Sequence, residues 1–156
     1  MGRLLDVDEA AVQAGWESGP LATFRLMRRC HPHLKAGGVI VNLGSRSGVR
    51  PDPVGRGAYA AAKEAIRAFT RAAAVEWGAD GIRVNAILPY AMSPALERLS
   101  HDDPEVYDRT RLAVPLGRIG DAETDVGRAV VFLAGPDAAY LTGATIPLDG
   151  GIAFVG

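Results

Sequence analysis

The stretch that decides the fold is Val39-Ile-Val-Asn-Leu43, which is short and almost continuously apolar. Segments of this kind are typical of strands that are covered on both faces of a parallel sheet. Residues 82–88 (Ile-Arg-Val-Asn-Ala-Ile-Leu) form a second such segment, and residues 142–148 (Thr-Gly-Ala-Thr-Ile-Pro-Leu) form a third. Pro89 stops the second segment, and Asp149-Gly-Gly151 closes the third. The sequence therefore predicts three strands.

Helical patterns lie between these segments. The apolar residues of 7–35 recur at helical spacing, with a break or kink expected at Gly19-Pro20, and Lys35-Ala-Gly-Gly38 is expected to stop the helix. Residues 44–57 are rich in Gly, Pro and Arg, which predicts a loop. Further helices are predicted at 58–77, at about 94–112 and at 122–134, the last with Asp121 as its N-cap.

The alternation of helices and strands predicts an α/β protein with a parallel sheet and right-handed crossovers. The chain has 156 residues, which fits a single domain covering 1–156. Three strands make a thin sheet, because most open parallel sheets have more. The predicted architecture is therefore incomplete.

Composition excludes several classes of protein. A formal net charge of −1 predicts no broad attraction to nucleic acid or to an anionic membrane. No apolar stretch approaches the ~20 residues that span a bilayer, and residues 1–9 do not resemble a secretory signal. The single cysteine, Cys30, excludes an internal disulfide and fits a reducing compartment, so we predict a cytoplasmic protein.

Cys30-His31-Pro32-His33 resembles a metal cluster, but no second cluster supplies further ligands and no metal site is predicted.

Tyr59 and Lys63 are four residues apart near the start of a predicted helix, so their side chains share one face. A tyrosine with a pKa near 10 is a poor base at neutral pH, and a neighbouring cation lowers that pKa. The pair could then exchange a proton with an alcohol or a carbonyl. The alternative interpretation of the same spacing is an exposed helical pair without a catalytic role.

Ser45 follows the first predicted strand directly, at the edge where parallel α/β sheets place their ligands. A hydroxyl there could hydrogen-bond a substrate oxygen as negative charge develops on it. The alternative is a serine of a tight turn, Gly-Ser-Arg-Ser-Gly, and Ser47 could fill the same role.

Five blocks in order, covering nearly the whole chain, resemble the short-chain dehydrogenase/reductases. They are Val39-Ile-Val-Asn-Leu-Gly-Ser45, Tyr59-Ala-Ala-Ala-Lys63, Val84-Asn-Ala-Ile-Leu-Pro89, Pro115-Leu-Gly-Arg-Ile-Gly120 with Phe132-Leu-Ala, and Leu141-Thr-Gly-Ala-Thr-Ile-Pro-Leu-Asp-Gly-Gly151. The resemblance implies a Rossmann-like fold, an NAD or NADP cofactor, and reversible alcohol–carbonyl oxidoreduction. It also implies that this chain corresponds to the C-terminal, catalytic part of such an enzyme.

The resemblance assigns roles to single residues. Tyr59 would be the general acid/base, Lys63 would lower its pKa and hold the nicotinamide ribose, and Ser45 would polarise the substrate carbonyl. The other implied site residues are Pro89 and Met92 beside the nicotinamide, and Ser47 and Tyr90 beside the substrate, which would be a small alcohol or ketone.

Several features depart from the family pattern. The glycine-rich turn Thr-Gly-x-x-x-Gly-x-Gly, which seats the pyrophosphate, has no counterpart, so cofactor binding is expected to be compromised. The usual asparagine of the long helix is replaced by Gly19 or Ser18, which cannot reproduce its side-chain contacts. The usual Pro-Gly is Pro89-Tyr90, and a bulky Tyr90 is expected to narrow the substrate site. The nearest hydroxyl to the family's threonine is that of Ser93, one residue early.

Two alternatives to a free-standing enzyme follow. The chain could be a non-catalytic interaction or scaffold subunit, because the helices at 7–35 and 58–77, through which family members associate as homo-oligomers, are retained. It could also be one half of a split enzyme whose partner chain completes the sheet.

Arginines 46, 50 and 56 could attract an anionic substrate, although a solvent-facing loop is the simpler interpretation.

Overall fold

A computed structural model describes residues 2–51 and 55–155 of the chain. Its centre is a parallel sheet of three strands, β1 (Val39–Leu43), β2 (Arg83–Pro89) and β3 (Thr145–Leu148), in that spatial order. All three predicted strands are confirmed. The third is shorter than predicted because Gly143 has a φ of 73°, which turns the chain before the strand begins.

The long N-terminal helical region is α1 (Glu9–Trp16) and α2 (Ala22–Leu34), joined by a π-helical turn at Glu17–Leu21. At Gly19-Pro20, where a break or kink is expected, this π-helical turn interrupts the α-helix. The wider π turn accommodates Pro20, which has no N–H to donate, and the helix continues beyond it. The predicted stop is confirmed, since Ala36 and Gly37 both have positive φ.

The remaining helices are α3 (Arg46–Val49), α4 (Gly57–Glu76), α5 (Pro94–Asp102), α6 (Pro104–Leu112) and α7 (Arg128–Ala134). The prediction of a loop throughout 44–57 was wrong, because α3 begins directly after Ser45. The single helix predicted at 94–112 is divided at Asp103, whose side chain caps the next helix by accepting from the Val106 N–H. Asp121 is the predicted N-cap, and it begins a π-helical turn at Ala122–Gly127.

The two faces of the sheet are covered by different helices. Val84 packs with Met27, Ala73 and Ala74 in a core that α2 and α4 provide. Its neighbour Arg83 points to the opposite face, where its guanidinium donates to carbonyl oxygens at the end of α7. Since the strands lie in chain order, helices on opposite faces require crossovers of opposite hand. The predicted right-handed arrangement therefore holds for at most one of the two.

Strand β1 is an edge of the sheet. Within the described residues it pairs with β2 alone, and Leu43 at its end is 57% exposed. Asn42 is its one buried residue, and its amide donates to the Thr70 hydroxyl at 2.9 Å and contacts the Met27 sulfur at 3.3 Å. In the part of the chain that the structure describes, no helix is long and apolar enough to cross a membrane.

Candidate active site

Lys63 is directed at the carboxyl end of β1. Its Nζ donates a 3.0 Å hydrogen bond to the carbonyl oxygen of Leu43, the last residue of that strand. The same Nζ lies 5.8 Å from the centroid of the Tyr59 ring, one turn earlier on α4. The helix therefore brings the predicted pair to the edge of the sheet where ligands of parallel α/β proteins bind. Tyr59 is 46% exposed, so a small molecule can reach it.

Ser45 lies two residues beyond the end of β1, in extended conformation, as the N-cap of α3. Its Oγ accepts a 3.2 Å hydrogen bond from the Ser47 N–H. Because a hydroxyl is both donor and acceptor, the Ser45 proton remains available for a substrate oxygen. Ser47 is only 4% exposed, which favours Ser45 over Ser47 as the hydroxyl that meets a substrate.

Pro89 ends β2 at the same edge, and Tyr90 and Met92 follow it. The Tyr90 N–H donates to the Leu148 oxygen at 2.9 Å, and the Met92 N–H donates to the Gly120 oxygen at 2.8 Å. The Met92 N–H is thus already engaged, so the backbone group that it could offer to a cofactor amide is its carbonyl oxygen. Burial raises the pKa of Tyr90, and the charge of Arg46 opposes that rise.

An ion pair between Glu64 and Arg67, which the sequence analysis did not single out, supports this region; it is called the brace below. The Arg67 guanidinium, largely buried, donates to both carboxylate oxygens of Glu64 at 2.9 and 2.7 Å, and its Nε donates to the Thr145 hydroxyl on β3. Glu64 lies against Gly48, where any Cβ would collide with its carboxylate. The pair thereby connects β3 and α4 to the short helix that starts at Ser45. The i,i+3 spacing of Glu64 and Arg67 was the available signal.

A mainly apolar cavity of about 560 Å³ opens beside Tyr90, at the carboxyl ends of β2 and β3. Leu116, Leu148 and Ala153 are among its lining residues, and the Arg118–Asp125 ion pair lies at its wall. That pair holds the pKa of Asp125 well below its usual range. The predicted residues Ser45, Tyr59 and Lys63 do not line this cavity, and Tyr90 is the site residue that borders it.

The segment Cys30-His31-Pro32-His33 lies at the end of α2, away from this edge. The Nε2 of His31 is 2.9 Å from a carboxylate oxygen of Asp80, and Lys35 pairs with the other oxygen at 3.2 Å. These two contacts lower the pKa of Asp80, the hydrogen bond to Lys35 most. Over residues 2–51 and 55–155, no group of three His, Cys, Asp or Glu residues comes together as metal ligands.

Comparison with known proteins decides the family. Residues 1–153 match the sequence family described as "Enoyl-(Acyl carrier protein) reductase". A 12alpha-hydroxysteroid dehydrogenase from Clostridium sp. is 46% identical over 139 residues, which cover 88% of this chain and 53% of that protein. The chain belongs to the short-chain dehydrogenase/reductase family. The galactitol 2-dehydrogenase (L-tagatose-forming) of Cereibacter sphaeroides is 38% identical over 118 residues, 75% of this chain and 46% of that enzyme.

Solved structures of short-chain dehydrogenase/reductases agree with the fold described above. A short-chain type dehydrogenase/reductase from Mycobacterium ulcerans superposes with a TM-score of 0.88 at 26% identity, covering 97% of this chain and 55% of that one. ElxO, solved with NADP bound, gives a TM-score of 0.87 at 26% identity, covering 97% of this chain and 62% of that one. The Rossmann-like class is thereby confirmed. This short-chain dehydrogenase/reductase chain spans about half the length of the curated relatives that it matches.

Proposed function

We propose that this chain supplies the catalytic half of an NAD(P)-dependent oxidoreductase that interconverts a secondary alcohol and a carbonyl. The observation that carries the proposal is the position of the Lys63 ammonium, beside the Tyr59 ring and bonded to the end of the strand that precedes Ser45. The names of the relatives favour the reaction class, since hydroxysteroid and galactitol dehydrogenases both act on C–OH groups.

Each of the three side chains has a distinct task. In the direction of reduction, the Ser45 hydroxyl donates a hydrogen bond to the substrate carbonyl and stabilises the charge that grows on its oxygen. Tyr59 donates its phenolic proton to that oxygen, and in the direction of oxidation the phenolate removes the proton again. Lys63 holds its positive charge beside the Tyr59 ring, on which negative charge develops as the proton leaves.

The residues present fit the nicotinamide end of a dinucleotide, which supplies or accepts the hydride when bound. An ammonium has three N–H donors, and Leu43 uses one of those on Lys63, which leaves donors for ribose hydroxyls. Pro89 and the Met92 carbonyl lie at the same sheet edge, where they would border the nicotinamide amide. Nothing in these residues discriminates NAD from NADP, and ElxO was solved with NADP.

The proposal also covers the compartment, the substrate and the partners of the protein. We assign it to the cytoplasm, with a small alcohol or ketone as substrate and neither nucleic acid nor membrane as partner. We also expect a homo-oligomer or a partner chain. Val12 and Trp16 on α1 and Val75 on α4 are exposed at 38%, 40% and 84%, which favours association through these helices.

A second candidate function is a non-catalytic interaction subunit, or one half of a split enzyme. One edge of β1 has no partner among residues 2–51 and 55–155, and this favours the second candidate, because an exposed parallel edge can pair with a strand from another chain. A chain of this kind would not bind the cofactor alone.

The two candidates are separated by following the absorbance of reduced nicotinamide with the purified chain, using keto steroids, ketohexoses and their alcohols. Turnover that requires NAD(H) or NADP(H) supports the enzyme. Absence of turnover, with co-purification of a complete family member, supports the interaction subunit. Co-purification of a chain that carries the glycine-rich turn, with turnover only in that complex, supports the split enzyme.

A further inference from the structure

Arg46 and Tyr90 form a contact at the border of the candidate active site. Arg46 follows Ser45 directly, and Tyr90 follows the end of the neighbouring strand β2. The guanidinium carbon of Arg46 lies 4.6 Å from the centroid of the Tyr90 ring, within the range of a cation–π interaction. The interpretation of Arg46 as part of a solvent-facing loop was therefore wrong, because it lies partly buried on α3 and against an aromatic ring.

Tyr90 is a fixed and neutral support for this cation. Its N–H donates to Leu148, and its carbonyl oxygen accepts from the Gly120 N–H at 3.2 Å, so the backbone under the ring is held on both sides. Burial raises the pKa of Tyr90 more strongly than the charges of Arg46 and Arg56 lower it. The phenol thus stays uncharged at neutral pH, and it does not neutralise the guanidinium.

Arg46 has no carboxylate partner among the described residues. Arg67, Arg111 and Arg118 each pair with a carboxylate, whereas no carboxylate of residues 2–51 or 55–155 lies within 4.0 Å of Arg46. A guanidinium presents five N–H donors in a planar fork that matches the two oxygens of a carboxylate. A cation with unused donors therefore lies one residue from the hydroxyl that would hold the substrate carbonyl.

Tyr90 also borders the apolar cavity of about 560 Å³. A volume of this size is in the range of small-molecule sites. The same tyrosine thus contacts both an apolar space and a positive charge. We infer that the substrate is an alcohol or ketone whose apolar body carries a carboxylate, and that Arg46 binds this carboxylate. This inference rests on the proposed function, since it names the substrate class of the same site.

Calorimetric titration tests it without requiring turnover. The probes are a keto steroid that carries a side-chain carboxylate and the methyl ester of the same compound. The unmodified chain should bind the acid about ten-fold more tightly than the ester, as one charge-assisted contact contributes. Arg46→Gln should bring the acid to the affinity of the ester and leave the ester unchanged, and Arg46→Lys should retain part of the preference. Arg28→Gln is the matched control, because Arg28 also stacks on an aromatic ring, that of Phe24, but on α2.

Three results would overturn the inference. They are equal binding of acid and ester, failure of either probe to bind, and an equal loss of affinity for both probes in Arg46→Gln, which would make Arg46 a mere support for Tyr90. The proposed redox function is tested separately, by the turnover assay, and its failure would not by itself affect these binding results. A carboxylate preference that depends on Arg46, in a chain without turnover, would keep the inference and refute the oxidoreductase.

Discussion

The Nζ of Lys63 lies 3.0 Å from the carbonyl oxygen of Leu43. This hydrogen bond joins the first turns of α4 to the last residue of β1, and it fixes the direction in which the ammonium points. The charge is consequently held at the sheet edge, beside the exposed ring of Tyr59, before any ligand binds. The arrangement is preorganised, which is what an electrostatic contribution to catalysis requires.

Replacing Lys63 by Met should therefore lower kcat by about 10² or more, because the phenolate loses its neighbouring cation. Lys35→Met is the control, since Lys35 is the only other lysine and it pairs with Asp80 at the far end of α2. An unchanged kcat in Lys63→Met, measured by steady-state kinetics, would exclude a role of this lysine in the proton transfer.

Tyr59→Phe should abolish turnover, about a 10²–10⁴-fold loss, because the ring remains while the transferable proton is removed. The fold should be unaffected, since Tyr59 is 46% exposed and its ring stays in place. Steady-state kinetics and circular dichroism measure the two expectations. Tyr140→Phe, at a fully exposed tyrosine, should have wild-type activity. Retained turnover in Tyr59→Phe removes Tyr59 from the mechanism.

Gly48→Ala should disturb the brace behind Ser45, because the new methyl group displaces the Glu64 carboxylate from Arg67. We expect a loss of about 1–3 kcal/mol in the free energy of unfolding, as for other overpacked sites. A lower kcat should accompany it as α3 moves. Gly78→Ala is the matched control, because no atom lies within 4 Å of its added Cβ and its φ is not positive. Equal stability of the two variants in urea would contradict the prediction.

Thr70→Val should cost about 1–3 kcal/mol of stability, because it removes the hydroxyl that accepts from the buried amide of Asn42. The side chains have nearly the same shape, so packing changes little. Thr70→Ser retains the hydroxyl and should recover most of that loss. Chemical denaturation of the three proteins provides the comparison, and a Thr70→Val protein as stable as the wild type would show that this hydrogen bond adds no net stability.

The exposed edge of β1 should make the isolated chain self-associate or pair with another chain. Sedimentation velocity over a range of concentrations should show species larger than a monomer. Leu43→Lys places a charge at the most exposed position of this strand and should shift the distribution towards the monomer. A wild-type chain that sediments as a monodisperse monomer at every concentration would refute the prediction.

Local sequence predicted the elements that depend on local patterns. The apolar segments gave the three strands, and the spacing of Tyr59 and Lys63 on one helix was enough to place them together. Helix α3 was missed because it depends on the Ser45 cap and on Glu64, which is distant along the chain. The contact between Arg46 and Tyr90 was also out of reach, since it joins the start of α3 to the residue after β2, and only the pairing of β1 with β2 brings these together.

The prediction that both crossovers are right-handed failed for a related reason. Helical and strand periodicities say which residues are buried, but they do not say over which face of the sheet a connection passes. Arg83 reveals that face because its guanidinium reaches the end of α7, a contact that joins residues fifty positions apart.

The strand order β1-β2-β3 equals the order in which these segments are synthesised. Each strand therefore pairs with a strand that has already been synthesised. No later strand has to insert between two strands that are already paired. The pairings nevertheless join residues far apart in sequence, Val39 with Arg83 and Ala86 with Thr145, and parallel pairings of this range form slowly. The sheet can be assembled progressively while the chain leaves the ribosome, from β1 outward to β3.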